Sequence, residues 1–207
     1  DTNGTYGTPF SYQFPGNTFT NPDAGQTLTY SAVGMPPGIG FTPATRTFIG
    51  TPTNVGISNV TVTATDNGSP TLNTNDSFNI TIAKAPLTAA ANNLSRAYGD
   101  TNPPMTFHYT GFVLGENESV LDSPPTSSTT AQTNSAVNSY DITLSGGVDD
   151  HYSLTLSNGT LTVDKVTLTV AADNQSRLYG ATNPPFTASY SGFVTGDNAG
   201  FLSGSPA

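Results

Sequence analysis

The sequence predicts an all-β fold built from tandem units, and three observations carry that expectation. Only 9% of the 207 residues are charged, too few to solvate the outer faces of helices. Thr dominates the polar residues, and with Val, Tyr and Phe it suits half-buried pleated surfaces. The chain also repeats itself. The segment from Leu87 to Gly99 reappears from Leu168 to Gly180, 81 residues later, and 22 of 42 positions are identical between residues 85–126 and 166–207. An array of such units is the expected architecture.

The elements follow in chain order. Residues 1–84 match neither copy and read as a separate domain. Alternation places strands at Phe10–Phe14, Thr27–Val33, Val60–Ala64 and Phe78–Ile82. Between them lie the turn signals Met35-Pro36-Pro37-Gly38, Gly50-Thr51-Pro52 and Asp66-Asn67-Gly68-Ser69-Pro70. Short strands at this spacing describe a β-sandwich. The first repeat spans 85–165, with strands expected at 86–91, 105–112, 126–131, 139–145, 152–156 and 160–164. Its one helical candidate is Gly115–Leu121, whose acidic first turn suits the positive end of a short helix. The second repeat, 166–207, stops about halfway through its period. A half-unit leaves an open sheet edge and an uncovered apolar face, so pairing between chains through this segment is expected. Docking on the first repeat, or cleavage of a longer chain, are the other accounts.

Composition narrows the function. The net charge is −9, and the basic residues are Arg46, Lys84, Arg96, Lys165 and Arg177. No phosphate-binding patch can be assembled from them, which argues against nucleic acid and against an anionic membrane surface. No apolar run approaches the length of a membrane span, so no membrane insertion is expected of this chain. The absence of cysteine fits a bacterial exoprotein, or merely a chain with adequate cores. Residue 1 reads as the start of a fragment whose signal and anchor lie elsewhere.

Two family resemblances cover the chain. Gly7-Thr8-Pro9-Phe10-Ser11-Tyr12, Leu28-Thr29-Tyr30-Ser31-Ala32, Met35-Pro36-Pro37-Gly38, Phe41-Thr42-Pro43-Ala44-Thr45, Gly50-Thr51-Pro52-Thr53 and Val62-Thr63-Ala64-Thr65-Asp66 resemble the Ig-type domain related to cadherin and dystroglycan repeats. Residues 85–207 resemble the MBG (YDG-type) repeat of large bacterial surface proteins. The carrying residues are Asn93-x-Ser95-Arg96-x-Tyr98-Gly99, Asn102-Pro103, Gly111-Phe112-Val113-x-Gly115, Tyr140-x-Ile142 and Asn158-Gly159-Thr160-Leu161-Thr162-Val163. The resemblances imply an extracellular, adhesin-like array on the cell surface: an Ig/cadherin-like sandwich, then β-grasp-like units, strung as beads. Neither implies an activity.

The candidate chemistry is sparse. The cadherin resemblance places a junctional calcium ligand at Asp66, with Asp23 as a second candidate. Calcium wants six to eight oxygens, however, and no Asp-x-Asn-Asp-Asn linker follows Ile82. An Asx turn in Asp66-Asn67-Gly68 is the competing reading. Glu116, Glu118 and Asp122 are close in sequence, but the second copy has Asp197, Ala199 and Ser203 there, which reads as a solvated face rather than a glycosidase pair. His108 becomes Ser189 in the second copy, and with His151 as the other histidine no triad or zinc site is supported. No catalytic residue is assigned, and calcium is the one ion considered. Arg96 and Arg177 recur, as a tie within each repeat or as a contact for an acidic sugar. Tyr98, Tyr109, Phe112, Tyr179, Tyr190 and Phe193 are candidates to stack on sugars, but their alternation along strands favours core packing. The expected function is a non-catalytic adhesive or spacer module. The alternatives are a carbohydrate-binding accessory module and a Ca²⁺-dependent homophilic adhesion domain; the partner is an unknown protein or polysaccharide.

Overall fold

The computed structural model describes residues 1–23 and 25–203. Ala24, which follows Asp23 in the sequence, and residues 204–207, the last of the second copy, lie outside the described residues. Strands β1 to β7 are Thr2–Thr5, Phe10–Gln13, Leu28–Val33, Ile39–Thr42, Thr47–Gly50, Gly56–Asp66 and Asn73–Ala83. Strands β8 to β14 are Ala85–Ala91, Leu94–Ala97, Phe107–Thr110, Ser123–Thr129, Ser139–Val148, Tyr152–Ser157 and Gly159–Asp164, and Thr169–Ala172 and Ala188–Ser191 are β15 and β16. Three 3₁₀ turns, at Pro43–Thr45, Glu118–Val120 and Ala199–Phe201, are the helical elements among the described residues. The fold is all-β, as expected.

The chain divides into two compact units. The first comprises Asp1–Ala89, His108–Thr126 and Ser145–Leu156; the second comprises Ala90–Phe107, Ser127–Leu144 and Ser157–Ala207. These units do not follow the repeat period, because parts of the 85–165 segment belong to each.

In the first unit a four-stranded sheet, β1-β7-β6-β3, and a three-stranded sheet, β2-β5-β4, share one core. The long β6–β7 hairpin holds an antiparallel register from Gly56↔Ile82 to Thr65↔Asn73. Strand β1 runs parallel to β7, from Thr2↔Ile80 to Thr5↔Ala83. Val60, Val62 and Ala64 on β6, with Ile80 and Ile82 on β7, are buried at every second position, as period-2 side-chain alternation requires. From the other sheet come Phe10, Ile39 and Phe48. The fully buried Phe48 ring lies 4.7 Å from Phe41 and 5.5 Å from Phe78, centroid to centroid. Burial of each such side chain stabilises by about 2 kcal/mol.

The same core continues past residue 84. Ala85, Leu87, Leu121 and Tyr152 belong to it, supplied by the β10-β8-β13 sheet and the loop before β11. Lys84 Nζ donates to the carbonyl of Asp149 at 2.7 Å, and the Ala85 amide donates to the carbonyl of His151 at 2.9 Å.

In the second unit β14 pairs antiparallel with β12, from Ser139↔Thr162 to Ile142↔Gly159. On its other side it pairs parallel with β9, from Leu161↔Leu94 to Asp164↔Ala97. Ile142, Leu161 and Val163 are buried there. β11 is the edge strand of that sheet, where Pro124 and Pro125 interrupt no central ladder. β15 and β16 form a two-stranded antiparallel sheet, from Thr169↔Ser191 to Ala172↔Ala188.

The helix expected at Gly115–Leu121 shrinks to the 3₁₀ turn Glu118–Val120. Asn117 caps it, its side chain accepting the Ser119 amide at 3.0 Å. In the second copy Asn198 accepts the Gly200 amide at 2.9 Å in the same way. The cap, and not the acidic turn, is what the two copies share.

Candidate functional site

Asp23 and Asp66 line one cleft of about 140 Å³, together with Asn21, Leu28 and Asn73. Asp66 Oδ1 accepts the amides of Gly68, at 3.1 Å, and Leu72, at 2.9 Å, so it closes the turn that the Asx reading describes. Among the described residues no third His, Cys, Asp or Glu is placed to complete a metal-binding group with them.

A larger cleft, about 560 Å³, opens beside it in the same unit, lined by Phe19, Asn21, Gln26, Tyr30, Pro43 and Arg46 among others. Three buried side-chain atoms with no hydrogen-bond partner among the described residues belong to this lining: Asn21 Nδ2, Gln26 Oε1 and Arg46 Nε. Buried polar atoms are ordinarily paired, because leaving one unpaired costs about 1–3 kcal/mol. Arg46 is held at φ 56 just after the Pro43–Thr45 turn. The lining combines the polar side chains of Asn21, Gln26 and Arg46 with the rings of Phe19 and Tyr30, a mixture that suits a hydroxyl- or carboxylate-bearing ligand. In the sequence Arg46 stands out only as charge; its being the one arginine of residues 1–84 is the available signal.

Glu116 occupies a different setting from the solvated face expected of it. It accepts a hydrogen bond from the Tyr6 hydroxyl at 2.7 Å through Oε1, and a short one from the Tyr152 hydroxyl through Oε2. Tyr6 lies edge-on to Tyr152 at 5.7 Å and tilted over His151 at 4.7 Å. Both phenols are pushed up to about 12, by burial first and by the Glu116 hydrogen bond next. Glu118 stays exposed, and Asp122 Oδ2 accepts the Asp150 amide at 2.9 Å. The three acids therefore have three separate structural roles. Tyr109 and Phe112 pack at 5.5 Å, and Phe112 meets Tyr152 edge-on at 5.3 Å, so these aromatics are core residues. Tyr190 and Phe193 pair at 5.9 Å in the second copy.

Arg96 is the tie within a repeat. Its Nε donates to Asn102 Oδ1 at 2.7 Å, Nη1 donates to the Ala97 carbonyl at 3.1 Å, and Nη2 donates to the Gln132 carbonyl. Arg177 makes one such bond, from Nη1 to the Ala181 carbonyl at 2.9 Å, and is exposed.

Comparison with known proteins agrees with the two resemblances. Residues 1–83 match the family described as "Putative Ig domain", and residues 87–162 and 168–207 match the MBG domain (YGX type). The chain is 35% identical over 78 residues to the serine-rich adhesin for platelets of Staphylococcus aureus strain MRSA252, covering 37% of this chain and 6% of that protein. The counterpart from strain USA300 matches at 35% identity over 78 residues, and there the chain spans 3% of the protein. Among solved structures, protocadherin gamma B2 cadherin domains 3–6 overlay with a TM-score of 0.26 at 18% identity, over 76% of this chain and 44% of that one. The eight N-terminal Ig domains of Down Syndrome Cell Adhesion Molecule overlay with a TM-score of 0.29 at 12% identity, over 82% and 23%. No helix among the described residues is long and apolar enough to cross a membrane. This chain belongs to the MBG domain (YGX type) family, with an Ig-type domain ahead of its MBG segments.

Proposed function

We propose that this chain is a non-catalytic spacer and adhesion module of a secreted or surface-anchored bacterial protein, organised as domains 1–84, 85–165 and 166–207. The observation that carries the reading is the single core that takes in Ile82 before the junction and Ala85 and Leu87 after it, where a flexible hinge would leave the two sides unpacked. A packed joint passes load and orientation from one domain to the next, which a display rod needs. The matched adhesins, named for platelets, support a place on the cell surface.

The carbohydrate-binding alternative has its own observation, the cleft lined by Phe19, Tyr30, Gln26 and Arg46. Glycan-array and polysaccharide pull-down assays on the full chain and on Arg46→Ala separate the two readings. A pure spacer binds no glycan. Retention of an acidic polysaccharide that falls at least ~10-fold in Arg46→Ala, as loss of one charged hydrogen bond would give, assigns binding to the cleft instead.

Calcium and self-association share one further experiment. Asp23 and Asp66 are the residues that would hold Ca²⁺, and Asp66 already spends an oxygen on two amides. Adding Ca²⁺ is therefore expected to leave the melting temperature unchanged, since only a ligand that binds the native state raises it. We also propose that the β15–β16 segment pairs between chains, because β15 is exposed at all four positions. Sedimentation is expected to show a concentration-dependent dimer that neither Ca²⁺ nor a chelator alters. A monomer at high concentration refutes the pairing. A melting shift abolished by Asp66→Ala refutes the calcium expectation.

A further inference from the structure

We infer that a Tyr-Gly turn on one domain and a Gly-Phe-Val-x-Gly-acid loop on the next form the recurring joint of this array, and that Tyr179-Gly180 is the docking surface for such a loop on a further domain. The inference rests on the spacer reading and says how its joints are made.

The turn occurs three times with one geometry. In Thr5-Tyr6-Gly7-Thr8, Ala97-Tyr98-Gly99-Asp100 and Leu178-Tyr179-Gly180-Ala181 the fourth amide donates to the first carbonyl, at 3.1, 3.2 and 3.1 Å. The glycines sit at φ 67, 88 and 80, the left-handed region that a turn of this kind reserves for Gly. The first two turns are fixed alike to the strand that ends their domain. The Tyr6 amide donates to the Ala83 carbonyl at 2.9 Å, and the Tyr98 amide to the Asp164 carbonyl at 2.8 Å. Each turn therefore stands beside the point where the chain leaves for the next domain.

The loop occurs twice, also with one geometry. In Gly111-Phe112-Val113-Leu114-Gly115-Glu116 the Glu116 amide donates to the Val113 carbonyl at 3.0 Å; in Gly192-Phe193-Val194-Thr195-Gly196-Asp197 the Asp197 amide donates to the Val194 carbonyl at 2.9 Å.

Turn and loop meet in the same way at both joints. A Cβ on Gly7 would lie 2.1 Å from Val113 Cγ2, and one on Gly99 would lie 2.1 Å from Val194 Cγ1. Only glycine lets the valine seat on the turn. The preceding tyrosine then reaches the acid: Tyr6 to Glu116 at 2.7 Å, Tyr98 to Asp197 at 3.4 Å, the longer bond going to the shorter side chain. One meeting lies wholly in the first unit and the other wholly in the second, so they are separate instances.

At the third turn the geometry is present and the loop is not. Nothing lies within 4 Å of a Cβ on Gly180 among the described residues, and Tyr179 and Leu178 are 106% and 83% exposed. Two seated examples in this chain define the occupant chemically: a Val side chain over the glycine and a carboxylate for the phenol.

The full chain tests this through matched glycine variants, since Gly99→Ala and Gly180→Ala carry similar backbone strain but only the first meets a valine. Amide hydrogen exchange of residues 192–197 is expected to speed up by at least ~10-fold in Gly99→Ala and to stay unchanged in Gly180→Ala. Should Gly99→Ala unfold the unit, Tyr98→Phe reads the same loop with a milder loss. A second arm extends the full chain after Ala207 with residues 127–165 and then 166–207, which supplies a new loop. Tyr179 is expected to become resistant to tetranitromethane nitration in the extended chain, and to regain reactivity when the new copy of Asp197 is changed to Asn. Equal exchange in the two glycine variants, or unchanged Tyr179 nitration on extension, overturns the inference. Glycan binding by the chain would overturn the spacer reading while leaving these outcomes untouched.

Discussion

Arg96→Ala is expected to destabilise the second unit by about 3 kcal/mol, while Arg177→Ala at the equivalent position stays within about 0.5 kcal/mol. Arg96 is 7% exposed, and among the described residues no carboxylate is a hydrogen-bond partner of it; two backbone carbonyls and an amide oxygen accept from its guanidinium. Asn102, one of the three, in turn donates to the Ala131 carbonyl at 2.7 Å. One side chain therefore fixes β9, the loop at 102 and the loop at 131–132 together. Truncation removes three hydrogen bonds to partly buried acceptors and opens a cavity where the buried side chain stood, and both effects act in the same direction. Arg96→Lys is expected to recover little, because a single ammonium cannot span a planar fork of acceptors. Denaturant unfolding of the three variants measures the difference. Equal losses at 96 and 177 would mean that the recurrence of the arginine, and not its burial, sets its contribution.

This contrast shows where the sequence was legible. The alternation that marks β3, β6 and β7 is a local signal, and the strands appear where Leu28, Val60 and Phe78 predict them. Four strands gave no such signal. β1 reads Thr-Asn-Gly-Thr, without an apolar residue, and is a strand because its backbone pairs with β7 some eighty residues later. β4 and β5 are four residues each and interrupted by Gly40 and Gly50. β9 carries a charged residue inward, which inverts the polarity expected of a buried position. The repeat itself showed that Arg96 and Arg177 are equivalent, but only tertiary contacts show that one is enclosed and the other exposed. The same holds for Glu116, whose partner Tyr6 is 110 residues away. The sequence nonetheless carries Tyr-Gly at residues 6–7 as well as at 98–99 and 179–180. A dipeptide is too short to mark a shared joint until tertiary contacts place a valine over its glycine.

The Tyr6–Glu116–Tyr152 cluster is expected to make the first unit sensitive to alkali in a way its variants are not. Both phenols are held at about 12, through burial and then through the carboxylate that accepts their protons' hydrogen bonds. An unfolded tyrosine ionises near ~10. The native state thus keeps its phenolic protons over a range where the unfolded chain has lost them, and stability falls as pH rises wherever the native state binds more protons. The contribution is complete below about pH 10 and is lost progressively as pH climbs from about 10 toward 12. Two coupled groups facing one carboxylate make this fall steep, since ionising either phenol puts a second negative charge against Glu116. Tyr6→Phe and Tyr152→Phe are each expected to flatten the fall, and the double variant to flatten it most, at the expense of lower stability at neutral pH. Glu116→Gln removes the opposing charge but keeps an acceptor, so it is expected to move the fall to lower pH and weaken it. Melting temperatures across this pH range, read with the ultraviolet titration of the nine tyrosines, check each point. A wild-type curve that parallels the double variant throughout would show that these phenols do not govern alkaline unfolding.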